Sequence, residues 1–221
     1  MCGIAGEFRF DSTSPDQATL KRMVAKLVRR GPDGEGLYFD GPVALGHRRL
    51  AIIDLTDRSR QPMVDAAAGL ALVFNGTIYN YPQLRAELIG KGQTFHSDGD
   101  TEVILRAYAE WGDDCVSHLH GAFAFAIWDR LAGKLLLARD RLGIKPLYYS
   151  VDSHCFRFAS TPQALLAAGG VDTSIDPTAL HHHLTLHAVV PAPRTLLNGV
   201  RKLEPASILS VEASCRQASR A

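Results

Sequence analysis

The sequence predicts an α+β fold in which two β-sheets stack face to face and helices cover them. Three observations point there. Short apolar runs bounded by Gly, Pro and Asp alternate with a few amphipathic helical stretches. In Ala122 to Asp129 the bulky Phe123, Phe125 and Ile127 share one face and alanines fill most of the other, so the strand is apolar on both sides, as burial between a second sheet and helices requires. With 221 residues, 46% of them hydrophobic, the chain can bury one sizeable core.

Each element follows from its local pattern. Gly3 to Phe10 alternates and reads as a strand; Asp16 is a natural cap for a helix whose Leu20, Met23, Val24 and Leu27 form one apolar stripe, ended by the turn Gly31-Pro32-Asp33-Gly34. Val43 to His47, Leu50 to Leu55 and Leu70 to Phe74 read as strands. Pro82 suits the first position of a helix through Leu88, and Thr101 to Trp111 forms another. Leu135 to Ala138, Leu147 to Ser150 and Phe156 to Ala159 continue the strand pattern. After Ala168 the character changes: a short helix spans Pro177 to Leu184, Pro191-Ala192-Pro193 is a loop, Ile208 to Val211 is a final apolar run, and the last ten residues read as a loose end.

Composition excludes several classes. Lys+Arg 24 against Asp+Glu 23 gives a net charge of +1, without the basic patch of a nucleic-acid binder. The start is too poor in apolar residues for a signal peptide and no run approaches a bilayer span, so no membrane partner and a cytoplasmic location are expected. Cys2, Cys115, Cys155 and Cys215 lack C-x-x-C spacing, so neither disulfides nor a metal are expected, and the last three read as core or surface thiols. Consecutive residues on a helix point about 100° apart, so His181, His182 and His183 cannot converge on one ion.

Cys2 is the candidate nucleophile. Removing Met1 would put a thiol and a free α-amine on one residue, and such an amine, titrating at about 7.7 to 8.0, is a usable base at neutral pH.

Six motifs follow in order: Cys2-Gly3-Ile4-Ala5-Gly6, Arg30-Gly31-Pro32-Asp33-Gly34, Gly46-His47-Arg48-Arg49-Leu50-Ala51-Ile52-Ile53-Asp54, Phe74-Asn75-Gly76, Gly99-Asp100-Thr101-Glu102-Val103, and Ala138-Arg139-Asp140-Arg141-Leu142-Gly143-Ile144-Lys145-Pro146. Together they resemble the glutaminase domain of class II glutamine amidotransferases in the asparagine synthetase branch. The opening Glu7-Phe8-Arg9-Phe10 and the stretch from His181 to Arg194 look most like the N-acetylglutaminylglutamine amidotransferases within it.

The resemblance implies an αββα four-layer sandwich of the N-terminal nucleophile hydrolase type. It implies a glutaminase domain over residues 1–168, followed over 169–221 by an extension and the start of a linker to an ATP-dependent synthetase domain. L-Glutamine would be hydrolysed to glutamate and ammonia through a Cys2 thioester. Asn75 and Gly76 would form the oxyanion site, Arg49 would bind the glutamine carboxylate, Leu50, Ala51, Ile52 and Ile53 would wall the site, and Asp100 would take the α-ammonium. Thr77 stands where asparagine synthetases usually carry Glu, leaving the ammonium more dependent on Asp100. Read alone, Asn-Gly is also a common hairpin turn, Arg48 competes with Arg49, and Asp100 could cap the helix after it. Arg139, Asp140 and Lys145 read as a structural charge network, and Arg30 to Gly34 as a turn bracing the site.

No cofactor is expected within this chain. Ala168-Gly169-Gly170-Val171-Asp172-Thr173 echoes a pyrophosphate loop but lacks its opening Ser, a preceding strand and an uninterrupted following helix, so ATP and Mg²⁺ belong to the synthetase partner, in cis or in trans. Apolar residues around Leu184 to Pro193 are expected to be exposed and would also allow a homo-oligomer. Two other readings compete: a catalytically silent regulatory or docking domain, favoured by a retained Met1, and a hydrolase of another amide, favoured by a site without the Arg49 and Asp100 clamp.

Overall fold

The computed structural model describes residues 1–212 in full and the backbone of residues 215–220. Chain order is β1 (Gly3–Arg9), α1 (Gln17–Ala25), β2 (Gly34–Asp40), β3 (Val43–Arg49), β4 (Met63–Asp65), β5 (Leu70–Ile78), α2 (Tyr81–Gly90), α3 (Asp100–Trp111), α4 (Cys115–His118), β6 (Gly121–Asp129), β7 (Lys134–Arg139), β8 (Tyr148–Val151), β9 (Cys155–Ala159), α5 (Pro162–Ala168), α6 (Pro177–Thr185), β10 (Arg201–Lys202), β11 (Ser207–Glu212) and β12 (Cys215–Arg220). Two six-stranded sheets result, ordered β10-β8-β9-β1-β3-β2 and β12-β11-β7-β6-β5-β4.

Side-chain alternation divides the core into three apolar layers and so produces an αββα sandwich. Ile4 and Phe8 of β1, Val43 and Leu45 of β3, Val73 of β5 and Ala124 and Ala126 of β6 fill the space between the sheets. Their alternates face outward. Ala5 and Ala44 meet Leu20, Met23 and Val24 of α1 and Leu165 of α5, while Phe123, Phe125 and Ile127 of β6 meet Val103, Ile104 and Ala107 of α3. Small residues on the inner face of β6 let the sheets approach, and Phe8 meets Trp128 across the gap at a centroid distance of 5.9 Å. Asp16 caps α1 by accepting from Ala18 and Thr19 N–H groups, and Thr161 caps α5 by accepting from Ala164.

Two expectations need correction, and the strand β2 was not expected at all. Leu50 to Leu55 is an irregular loop, with Ile52 71% and Leu55 73% exposed, because its polar backbone groups serve neighbouring side chains. Of the last ten residues, Cys215–Arg220 form β12, antiparallel to β11, and extend the second sheet. Gly34–Asp40, unmarked by any apolar alternation, is the edge strand β2: its residues are half-buried or exposed, so the usual signal is missing. Gly169 and Gly170, at φ of +82° and +72°, end α5, and no helix begins until Pro177.

Phe8 is fully buried between the sheets, so Phe8→Ala should lower the unfolding free energy by about 3 to 5 kcal/mol in urea titration. Leu131→Ala, at a turn position 76% exposed, should change it by less than about 0.5 kcal/mol.

Candidate active site

The apolar filling between the sheets stops at one end, and the inward-facing positions there become polar. On β3 the sequence of inward residues runs Val43, Leu45, His47, Arg49; on β5 it runs Ala71, Val73, Asn75, Thr77. Cys2, just before β1, continues the inward series of Ile4 and Phe8. A cavity of ≈ 90 Å³ lies at this end and brings together Cys2, Arg49, Leu50, Ile52, Ile53, Asn75, Gly76, Thr77 and Asp100.

Cys2 is half-buried, and its Sγ accepts a hydrogen bond from the Leu50 N–H at 3.3 Å. Burial pushes the thiol pKa up; the Leu50 N–H, the N-terminal ammonium and Arg49 oppose that. Arg30 Nε donates to the Cys2 carbonyl at 3.0 Å, Asp33 N–H to the Arg49 carbonyl at 2.9 Å, and Asp33 Oδ2 accepts from the Ala51 N–H at 2.9 Å. The Arg30 to Gly34 turn therefore braces both sides of the nucleophile. Ser160 Oγ fixes the next turn of the same strand by accepting from Ile4 N–H at 3.0 Å.

Asn75 and Gly76 lie within β5, paired with Ala124 and Phe123 of β6, and no turn interrupts the strand there. A Cβ at Gly76 would sit 2.3 Å from the Ala122 carbonyl oxygen, so this position admits only glycine for steric reasons. The Asn75 side chain is 1% exposed, and both its amide nitrogen and oxygen lack a hydrogen-bond partner. Leaving such a group unsatisfied costs about 1 to 3 kcal/mol, which marks it as held ready for a ligand.

Arg49 donates to the Thr56 carbonyl at 3.0 Å and to the Asp54 carbonyl, so it draws residues 54–56 around the cavity. Arg48 points to the other face of β3 and pairs with Glu35, which removes it as the competing cation. Asp100 opens α3 but does not cap it; the cap is Gly99, without a side-chain bond. Its carboxylate, 5% exposed, accepts from the Ile78 N–H at 3.0 Å, and burial raises its pKa against that bond.

Several further residues line the cavity that the sequence did not single out as site residues, Gln61, Met1 and Lys145 among them. Gln61 is buried beneath the cavity, Met1 lies at its mouth, and Lys145 places its Nζ 3.4 Å from Met1 Sδ. Lys145 thus differs from its structural neighbours. Asp140 accepts four backbone N–H bonds, from Phe123, Leu142, Ile144 and Lys145, and Arg139 donates to the carbonyls of Gly143, Lys145 and Leu203, so this pair shapes the loop that presents Lys145.

Away from the cavity, among the described residues no cluster of His, Cys, Asp or Glu could hold a metal ion, and no helix is long and apolar enough to cross a membrane. Leu184 is 74% and Val189 58% exposed.

Two inward-facing sheets with a cysteine at the open end define the fold of the N-terminal nucleophile amidotransferases. Consistent with that fold, the glutamine phosphoribosylpyrophosphate amidotransferase of Bacillus subtilis superposes with a TM-score of 0.72 at 20% identity, over 99% of this chain and 49% of that one. Residues 1–220 match the family described as "Glutamine amidotransferase domain", and the chain belongs to that family. It is 38% identical over 213 residues to asparagine synthetase [glutamine-hydrolyzing] 3 of Bacillus subtilis, covering 95% of this chain and 34% of that protein. Against asparagine synthetase [glutamine-hydrolyzing] 1 of the same organism it is 40% identical over 214 residues, 96% of this chain and 33% of the relative. The chain thus spans about a third of the length of these relatives.

Burial that raises the Cys2 thiol leaves a small thiolate fraction at neutral pH, so alkylation by iodoacetamide should quicken about tenfold per pH unit from pH 7 to beyond 8. Peptide mapping should find Cys115 and Cys155, both pushed up to about 12 by burial, unmodified until the protein is unfolded.

Proposed function

We propose that this chain hydrolyses L-glutamine to glutamate and ammonia through a Cys2 thioester, and that the ammonia serves an ATP-dependent amidation in a synthetase portion. The single observation that carries the reading is the buried, unpartnered Asn75 amide lining the same cavity as the Cys2 thiol. Cleavage after Met1 would free the Cys2 amine as the base and clear the cavity mouth that Met1 lines. Sulfur then attacks the amide carbon, and the oxygen that gains charge is received by Asn75 Nδ2 and the Gly76 N–H. The proton taken from the thiol passes to the departing nitrogen, which leaves as ammonia, and water reverses the sequence to release glutamate.

Arg49 has five N–H donors and spends two on its loop, so its fork can still take the glutamine carboxylate. Asp100 is the carboxylate for the ammonium; Asp54, the other one at the cavity, is committed to Thr56, Ser59 and Asp98. Thr77 adds a neutral hydroxyl. For the acceptor, the names of the relatives support aspartate, while Thr77 and the stretch from His181 to Arg194 support N-acetylglutaminylglutamine. Assaying the full-length protein with each acceptor distinguishes them. The exposed Leu184 and Val189 support a docking surface for the synthetase portion there.

Glutamate release by protein whose intact mass begins at Cys2 tests the reading. Cys2→Ala should abolish it, Asn75→Ala should lower kcat about 100-fold, and Arg49→Ala should raise KM for glutamine by about 1.5 to 3 kcal/mol. Full activity with Met1 retained would rule the mechanism out; no activity in the trimmed protein would favour a silent docking domain.

Asp100 gives a test with the opposite sign for stability. Its folded-state pKa lies above the unfolded value, so a penalty on the native state builds as pH rises from the unfolded value towards the folded one. Asp100→Asn, which keeps an acceptor for Ile78 N–H, should therefore raise KM for glutamine while leaving the protein at least as stable as wild type at pH 7 by thermal melting.

A further inference from the structure

The pairing of β5 leaves a gap beside the Asn75 donor. β4 covers β5 only from Leu70 to Leu72, so past that point the outer edge of β5 has no neighbouring strand. Alternation turns the backbone polar groups of Phe74, Gly76 and Ile78 toward this open edge. Side chains take over where the strand is missing. The Phe74 N–H donates to Gln61 Oε1 at 2.6 Å, the Phe74 carbonyl lies 3.2 Å from His47 Nε2, and the Ile78 N–H goes to Asp100. Gly76, between them, presents its N–H at the cavity.

His47 is 1% exposed on β3, directly opposite Ile4 of β1, two residues after Cys2. A carbonyl only accepts, so Nε2 carries the proton and donates, and Nδ1 is left with a lone pair that has no partner. Burial lowers the His47 pKa to about 3, so the ring is neutral and this tautomer is fixed across the working pH range. Filling the space alone would be better done by an aliphatic side chain, which leaves no buried nitrogen unsatisfied. Gln61 makes the matching link on the other side, its Nε2 donating to Thr101 Oγ1 at 3.2 Å, next to Asp100.

We infer that His47 and Gln61 are positioning residues of the glutaminase reaction: by pinning both polar groups of Phe74 they set the Asn75 and Gly76 donors against Cys2. The inference rests on the proposed function above. The ring of His47 ties the strand next to the nucleophile, in one sheet, to the strand bearing the donors, in the other. Neither residue touches the reacting atoms, so each acts through where Asn75 and Gly76 stand.

The test uses protein beginning at Cys2, with glutamate release and melting temperature measured for His47→Leu, His47→Gln and Gln61→Leu, each with Asn75 present and with Asn75→Ala. Misplacing an oxyanion donor should lower kcat about 10- to 100-fold in His47→Leu and Gln61→Leu. KM for glutamine should stay within about twofold, since Arg49 and Asp100 are untouched. His47→Gln, whose amide N–H can reach the same carbonyl, should recover kcat to within about fivefold of wild type. With Asn75→Ala already in place, His47→Leu should cost less than about threefold more. An unchanged kcat, a loss carried by KM, no rescue by Gln, or the same factor in both backgrounds would overturn the inference while leaving the glutaminase reading intact. Should His47→Leu fail to fold, the kcat and KM of Gln61→Leu decide by the same criteria. Wild-type protein that releases no glutamate would overturn both.

Discussion

The structure depends on where the apolar filling between its two sheets runs out. Along β1, β3 and β5 a period of two delivers Ile4, Phe8, Val43, Leu45 and Val73 to a dry interior, and the same period, continued past the end of that interior, delivers Cys2, Arg49, Asn75 and Thr77 to one cavity, with His47 behind it on the Phe74 carbonyl. Backbone register therefore does the work of assembling the site. A one-residue slip in any of these strands would put a polar side chain among the alanines and phenylalanines and a hydrophobe in the cavity, so the energy that fixes the sheets also fixes the chemistry.

That arrangement loads the site with groups whose burial is unfavourable. Asn75 has no partner, His47 has half of one, Asp100 is a carboxylate in a pocket, and Arg30 leaves its Nη2 unbonded while burial lowers its pKa. The surroundings offset this with rigid, fully bonded pieces: the Asp140 carboxylate ringed by backbone N–H groups, the Ser160 contact to Ile4, and the Asp33 turn. Strain is concentrated at the cavity and support is spread around it, as expected when binding groups are held ready before the ligand arrives.

Much of this was legible in the residues. Val43, Leu45, His47 and Arg49 announce both the strand and its polar end, and the two-sided apolar character of β6 announces the sandwich. What escaped has physical reasons. β2 is an edge strand without alternation, and the apolar run from Leu50 to Leu55 looks like a strand although its backbone groups at Leu50, Ala51 and Asp54 are spent on Cys2, Asp33 and Arg49. Asn75-Gly76 carries turn chemistry but lies inside a strand, because steric contact with Ala122, and no turn, demands the glycine. His47 and Gln61 escaped because their partners are backbone groups far along the chain, which no local pattern encodes.

The position of β1 also sets an order of events in time. This strand lies in the middle of its sheet, between β3 and β9, and the Ile4 contact with Ser160 spans 156 residues. At synthesis rates of about 5 to 20 residues per second, the first strand waits roughly 10 to 30 s for its second neighbour to be made. During that interval Cys2 belongs to a free chain end; afterwards it lines a cavity, with Met1 at the mouth. β1 is thus held on both sides only once the most distant of its partners has been made, with the ribosome as the clock.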